Sequence, residues 1–356
     1  MSMYNCTLWL DDLDEVISSC SVLSELEGRS VLITGASGLV CSAVIDLLIR
    51  YNETHEKTIT IIAAGRRVEK IKNRFGDFLE KDYFFYVPFD ASSPDNQIIV
   101  PCDYIIHGAS NASPELIIKE PVETMMSNVL GMKCLLDYAG NCGTKRVLYI
   151  SSSEVYGKNG SDQPFSEQEY GFIDILNSRN SYSISKRAAE TLCVSYSDEC
   201  GIDSVIARPG HIYGPTASPM DNRVSSAWAY AAARGDNIIM KSDGSQKRSY
   251  CYCLDCASAI LYILLRGSVC SAYNISNPES IVTIRQMARI ISEVANVEVV
   301  SELPSEIEKK GFNPMSNSSL RSDSLLALGW HGVYDARRGF DHTVRILKET
   351  IGKEAR

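Results

Sequence analysis

The chain has 356 residues, 45% hydrophobic and 22% charged, with 23 glycines and 12 prolines, which excludes disordered, fibrous and collagen-like proteins. Its net charge of −9 comes from 35 basic and 44 acidic residues; an acidic surface repels phosphate backbones and anionic membranes, so no nucleic acid or membrane is expected as a partner. No stretch reaches the roughly 18 uninterrupted apolar residues of a membrane span, the acidic N-terminus lacks the basic region of a secretory signal, and 12 scattered cysteines fit reduced thiols in a cytoplasm.

Residues 1–28 read as a helical extension preceding the main pattern. A short β-branched strand then runs from Arg29 into Gly35, followed by an apolar-periodic helix over 39–51. A second strand at 58–64 precedes a charged helix from Val68. Further strands fall at 83–88, 104–107, 146–150 and 204–207, with helices at 121–141 and 182–200. Continuous apolar strands alternating with amphipathic helices predict an α/β fold: a Rossmann-type, doubly wound parallel sheet over 29–208. After Arg208, Pro209, Gly210, Gly214, Pro215 and Pro219 break the rhythm. Residues 209–356 therefore read mainly as a smaller C-terminal substrate-binding lobe, with some segments returning to the first domain. Cys253 and Cys256 formally make CxxC, but no second pair lies at ligand spacing, so core packing is expected and a metal is not.

Thr34-Gly35-Ala36-Ser37-Gly38-Leu39-Val40-Cys41 lies between a strand and a helix, the setting in which a glycine fingerprint has meaning. Gly35 permits a tight turn, and Gly38 lets backbone approach a pyrophosphate at the helix start, where free N–H groups favour anions. Cys41 stands where the pattern expects a third glycine for close helix–strand packing. The second strand ends in Ala63-Ala64-Gly65-Arg66-Arg67 with no carboxylate for the adenosine ribose. Arg66 or Arg67 can meet a 2′-phosphate instead, which leans NAD or NADP towards NADP.

Tyr182 and Lys186 stand at i and i+4, on one helical face. A fixed cation there is expected to lower the phenol's pKa, so that Tyr182 takes a hydroxyl proton as hydride leaves for a nicotinamide. Upstream, Ser151-Ser152-Ser153-Glu154 follows a strand end, where ligand-binding residues collect. Hydroxyls there can bind a reacting sugar hydroxyl, and Glu154 can act as acid, base or positioner.

Taken in order, TGASGLV, the His107–Ser110 segment, SSSEVYG at 151–157, YSISK at 182–186, RPGHIYGP at 208–215 and SDGSQKRSY at 242–250 resemble the extended short-chain dehydrogenase/reductases of the nucleotide-sugar epimerase/dehydratase family. The resemblance spans about residues 29–330 and implies Ser152, Tyr182 and Lys186 as a catalytic triad, joined by Ser153 and Glu154. It implies cofactor contacts from Gly35, Ser37, Gly38, Leu39, Val40, Arg66, Asp90, Ala91, Gly108, Ala109, Ser110, Asn128 and Pro209, besides Tyr182 and Lys186. It implies substrate contacts from Ser113, Arg179, His211, Arg223 and Arg248, the arginines suiting a nucleotide diphosphate or its sugar. His211 replaces the family's usual asparagine.

The family's shared first step makes a 4-keto sugar. Dehydratases carry Asp-Glu where this chain has Ser153-Glu154, which argues against 4,6-dehydration. Ser-Glu there, the Ala112-Ser113-Pro114 segment and Arg248 are similar to UDP-glucuronate decarboxylases, whose β-keto acid loses CO2. A 4-epimerase and an NADPH-dependent 4-keto-sugar reductase remain open, as does a non-catalytic dinucleotide sensor. The resemblance further implies a homodimer through helices 121–141 and 182–200, with a nucleotide-diphosphate sugar as the small-molecule partner.

Overall fold

The computed structural model describes residues 3–98, 100–158, 160, 162–304 and 315–354. The first half alternates strand and helix: α1 (Thr7–Ser19), β1 (Ser30–Thr34), α2 (Leu39–Thr54), β2 (Thr60–Gly65), α3 (Val68–Phe75), β3 (Phe84–Pro88), β4 (Tyr104–His107), α4 (Pro114–Lys119), α5 (Pro121–Cys142), β5 (Arg146–Ile150), α6 (Ser181–Cys200) and β6 (Ser204–Pro209). Shorter elements follow: β7 (His211–Tyr213), α7 (Val224–Arg234), β8 (Ile238–Met240), β9 (Lys247–Tyr252), α8 (Cys253–Arg266), β10 (Ala272–Ile275), β11 (Ile281–Thr283), α9 (Ile284–Ala295), β12 (Val299–Ser301) and β13 (Asn317–Ser318).

The main sheet has seven strands in the order β10-β6-β5-β4-β1-β2-β3, and every pairing in it is parallel. Side chains alternate strictly between two cores, as the period of two along a strand requires. Val31, Ile33, Ile61, Ala63, Leu148 and Val205 enter the core that α2, α3 and α8 cover. Leu32, Ile62, Ala64, Val147, Tyr149 and Ile206 enter the opposite core, under α5 and α6. Both faces are buried, so the strands read as continuous apolar runs rather than alternating ones. The order reverses at β1, whose neighbours are β2 and β4, and that switch point opens a crevice at the strands' carboxyl ends.

The seventh strand, β10, returns from the second half of the chain, pairing Asn274 with Arg208 of β6. A four-stranded sheet built on β9 and a β8–β12 pair make up the rest. The N-terminal segment is tied into the main core: Trp9, Leu13 and Val16 of α1 are fully buried. Its acidic run finds partners. The Tyr252 hydroxyl donates to Asp12 Oδ2 at 2.7 Å, His342 Nδ1 lies 2.7 Å from Asp12 Oδ1, and Arg50 pairs with Asp14 at 2.6 Å. Cys253 and Cys256 pack fully buried on α8. Among the described residues no helix is long and apolar enough to cross a membrane.

Candidate active site

The β1–α2 turn, the ends of β2 and β3 and the residues after β4 enclose a cleft of about 200 Å³ at the switch point. Of the sequence-predicted cofactor residues, Gly35, Ser37, Gly38, Arg66, Asp90, Ala91, Gly108, Ala109 and Ser110 line it. Gly35 has φ +69°, and a Cβ there would stand 2.9 Å from the Ala109 backbone, so only glycine lets the two loops close on each other. Gly38 is the N-cap of α2 and no side chain caps the helix, which leaves its first N–H groups open to an anion. Ser110 Oγ and Asn111 Nδ2, both on the cleft, are buried with no hydrogen-bond partner among the described residues. Unpartnered buried donors beside an uncapped helix start suit a dinucleotide, which these residues can hold. Leu39 and Val40 form the first turn of α2, where the Leu39 carbonyl accepts Thr216 Oγ1 at 2.9 Å. Pro209 closes β6. Asn128 stands apart from the wall: its Nδ2 donates to Thr124 O and to Ser185 Oγ, 3.0 Å each, clamping α5 to α6 between Tyr182 and Lys186.

Cys41, in the position expected to be glycine, is accommodated by a second glycine. The Cys41 Sγ fills the space that a Cβ on Gly108 would occupy, so α2 and the end of β4 approach closely with the small residue moved to the other partner. Burial pushes this thiol up to about 12, which keeps it a neutral packing group.

Beyond Gly108, the β5 end and α6 bring the catalytic candidates together. Tyr182 is 7% exposed, and the Ser152 hydroxyl beside it favours the phenolate. Lys186 is buried, donates to the Ile150 carbonyl at 2.7 Å and lies 5.6 Å from the Tyr182 ring centre. The expected lowering of the phenol is not the balance that the folded chain strikes. Burial, reinforced by the Glu154 charge, pushes Tyr182 up to about 12, and the Ser152 hydroxyl, Arg223 and Arg179 only partly offset this. Burial brings Lys186 down to about 7 despite the Glu190 carboxylate. Both groups thus lose charge when withdrawn from water. Glu154 accepts Arg179 at 3.3 and 3.4 Å and Ser183 Oγ at 3.1 Å, and its amide donates to Ser152 Oγ. Ser153 is buried beside them.

On the substrate side, β7 and β9 pair with His211 opposite Tyr250, which puts Arg248, two residues before Tyr250, on the same face as His211. Arg248 is 4% exposed and donates to the Lys247 carbonyl at 2.8 Å; among the described residues no carboxylate pairs with it. A buried guanidinium without a counter-charge is costly and marks a place where an anion can bind. His211 is brought down to about 3 by burial, Arg248 and Arg223, so it stands there as a neutral imidazole. Arg223 is held by Asp221, its Nε 2.9 Å from Oδ1. Ser113 reaches Asn222 at 3.3 Å rather than pointing free.

Sequence reasoning missed four residues. Glu190, four residues after Lys186, takes Arg208 at 2.9 and 2.7 Å and the Ser151 hydroxyl at 2.5 Å, locking α6, β5 and β6 around the lysine. The i, i+4 spacing from Lys186 was a readable signal; the arginine partner was not. Lys70 and Glu123 line the cofactor cleft from α3 and α5, and only the folded chain brings them there. His107, fully buried, bonds Thr34 Oγ1 through Nδ1 at 2.7 Å and ties β4 to β1 under the cleft.

A parallel doubly wound sheet with this cleft at its carboxyl edge is a dinucleotide-binding architecture. The chain belongs to the NAD dependent epimerase/dehydratase family, whose sequence profile matches residues 31–276. It is 30% identical over 309 residues to UDP-glucuronic acid decarboxylase 6 of Arabidopsis thaliana, covering 87% of this chain and 86% of that one. It is 28% identical over 337 residues to UDP-glucuronic acid decarboxylase 1 of Xenopus tropicalis, covering 94% and 75%. An epimerase structure from Methanothermobacter thermautotrophicus superposes with TM-score 0.80 at 20% identity, covering 94% of this chain and 96% of the other, which establishes the shared fold.

Proposed function

We propose that this chain oxidises a nucleoside-diphosphate sugar at C4 and decarboxylates the resulting keto acid, with UDP-glucuronate as substrate. The observation that carries the reading is the buried pair of Tyr182 and Lys186 one helical turn apart, the lysine Nζ 5.6 Å from the phenol ring centre and anchored on the Ile150 carbonyl beside the Ser152 segment. The bound nicotinamide supplies a hydride acceptor and, later, the donor of the same hydride. Tyr182 takes the C4 hydroxyl proton as the C4 hydride leaves, producing a 4-ketone. Ser152 orients that hydroxyl. Lys186 supports the phenolate when protonated. The carboxylate on C5 is then β to a ketone, and its C–C bond breaks to release CO2 and leave an enolate. Glu154, anchored by Arg179 and Ser183, takes a proton from solvent and passes it to C5. Return of the hydride to C4 and of the Tyr182 proton to the C4 oxygen completes a UDP-pentose.

Support for decarboxylation comes from Ser153 in place of a dehydratase's aspartic acid and from relatives that carry the decarboxylase name. Arg248 and His211 are the groups we assign to the diphosphate, with Arg223 beside them. Val122, Met126 and Val194 leave apolar surface on α5 and α6 for a homodimer, and 12 unpaired cysteines fit a reducing cytoplasm.

The test incubates purified protein with UDP-glucuronate and a panel of nucleoside-diphosphate hexoses, with and without NADPH, and reads products by mass. Loss of CO2 without added reductant supports the proposal. Unchanged mass with altered sugar couplings makes the chain a 4-epimerase, and a gain of two hydrogens by a keto sugar makes it a reductase.

A further inference from the structure

The end of β2 carries no carboxylate, and another element brings one to the same cleft. In sheets of this kind the residues that end the second strand reach the adenosine ribose; here they are Gly65 and Arg66 on the cleft wall. Glu123, in the first turn of α5, lines the same cleft, and its Oε1 lies 3.0 Å from Arg66 Nη1. The two side chains are 39% and 50% exposed, so they meet at the cleft rim rather than in the core. Arg67 and Lys70 stand on the same wall, and burial, with the two arginines adding to it, pushes the lysine's pKa down. Three cations therefore stand on one edge of the cleft, and Glu123 is the carboxylate paired with one of them, Arg66.

We propose that Glu123 selects NAD over NADP: its carboxylate accepts the adenosine ribose hydroxyls and holds Arg66 out of reach of a 2′-phosphate. A phosphate on that ribose would bring a second anion against the carboxylate and would have to break the Arg66 pair before using it. The arginine pair that points to NADP in the sequence is thus half spent inside the fold. The proposal rests on the dinucleotide reading of the cleft, and its test separates the two.

Titration calorimetry measures NAD and NADP binding to the wild-type chain, to Glu123→Gln and to Glu123→Gln/Arg66→Ala, with thermal melts confirming that each is folded. A hydrogen bond to a charged group corresponds to roughly 10- to 100-fold in affinity. The wild-type chain is expected to bind NAD more tightly by about that factor. Glu123→Gln is expected to weaken NAD and strengthen NADP, and removing Arg66 as well to erase the NADP gain while leaving the NAD loss. A wild-type preference for NADP overturns the proposal, as does a preference that Glu123→Gln leaves unmoved. Failure of every variant to bind either dinucleotide overturns the reading of the cleft itself.

Discussion

Cys41 and Gly108 form a reciprocal packing pair, and a double-mutant cycle measures it. A methyl added by Gly108→Ala overlaps the Cys41 sulfur and approaches Ile150 Cδ1 at 3.1 Å. Ile150 can yield by a few tenths of an ångström; the sulfur, on a 3% exposed residue at the start of α2, cannot. Overpacking of this kind costs about 1–3 kcal/mol. Cys41→Ala alone removes one buried heavy atom and costs about 1 kcal/mol, the scale of a small cavity. In the double variant the new methyl occupies the space the sulfur has left, so the combined cost falls below the sum by about 1–2 kcal/mol. Urea unfolding followed by circular dichroism, at constant m-value, gives the four stabilities. Additive effects within about 0.3–0.5 kcal/mol would refute the pairing and leave the cysteine at the fingerprint's third position without an explanation.

Arg248→Met removes the buried guanidinium that no carboxylate among the described residues pairs with and is expected to weaken binding of UDP and its sugars by roughly 10- to 100-fold, read by calorimetry; unchanged affinity would take Arg248 out of the anion site. The same variant is expected to unfold no more easily than wild type, because it removes a buried charge that has no counter-ion among the described residues. Lys186 falls from 10.5 unfolded to about 7 folded, so between these values the unfolded chain holds a proton that the native chain has released. Stability therefore rises with pH across that window, and Lys186→Met is expected to flatten the rise in denaturation midpoints; an identical slope contradicts the assignment. His107 and His211 fall from 6.5 to about 3. Their contribution is complete above 6.5 and is lost as pH drops towards 3, so neither imidazole should titrate by NMR between about pH 5 and 8.

Most of the sheet was legible because both of its faces are buried: runs such as 31–33 and 61–64 are apolar throughout and bounded by turn residues. β10 was hidden because four residues, Ala272–Ile275, carry little signal until Asn274 is seen beside Arg208. The burial of α1 was equally silent. Asp12 and Glu15 look like a solvated acidic face until Tyr252, His342, Tyr334 and Arg338 are folded against them. At the site, local spacing revealed Tyr182 with Lys186, and strand-end position revealed Ser152 to Glu154. Glu123, Glu190 and the Gly108 partner of Cys41 depend on contacts between distant elements, which no local pattern encodes. The charge states were misjudged for a related reason: the sequence shows a cation near a phenol, but the burial that outweighs it belongs to the fold.

The most direct test of Tyr182-driven oxidation mixes the NAD-loaded chain rapidly with UDP-glucuronate bearing protium or deuterium at C4 and follows the absorbance of reduced nicotinamide. A transient rise slowed by deuterium is expected, with the rise about 10²- to 10⁴-fold slower in Tyr182→Phe while NAD binding is retained. Release of CO2 with no reduced nicotinamide and no isotope effect, or a Tyr182→Phe variant as fast as wild type, would contradict the account.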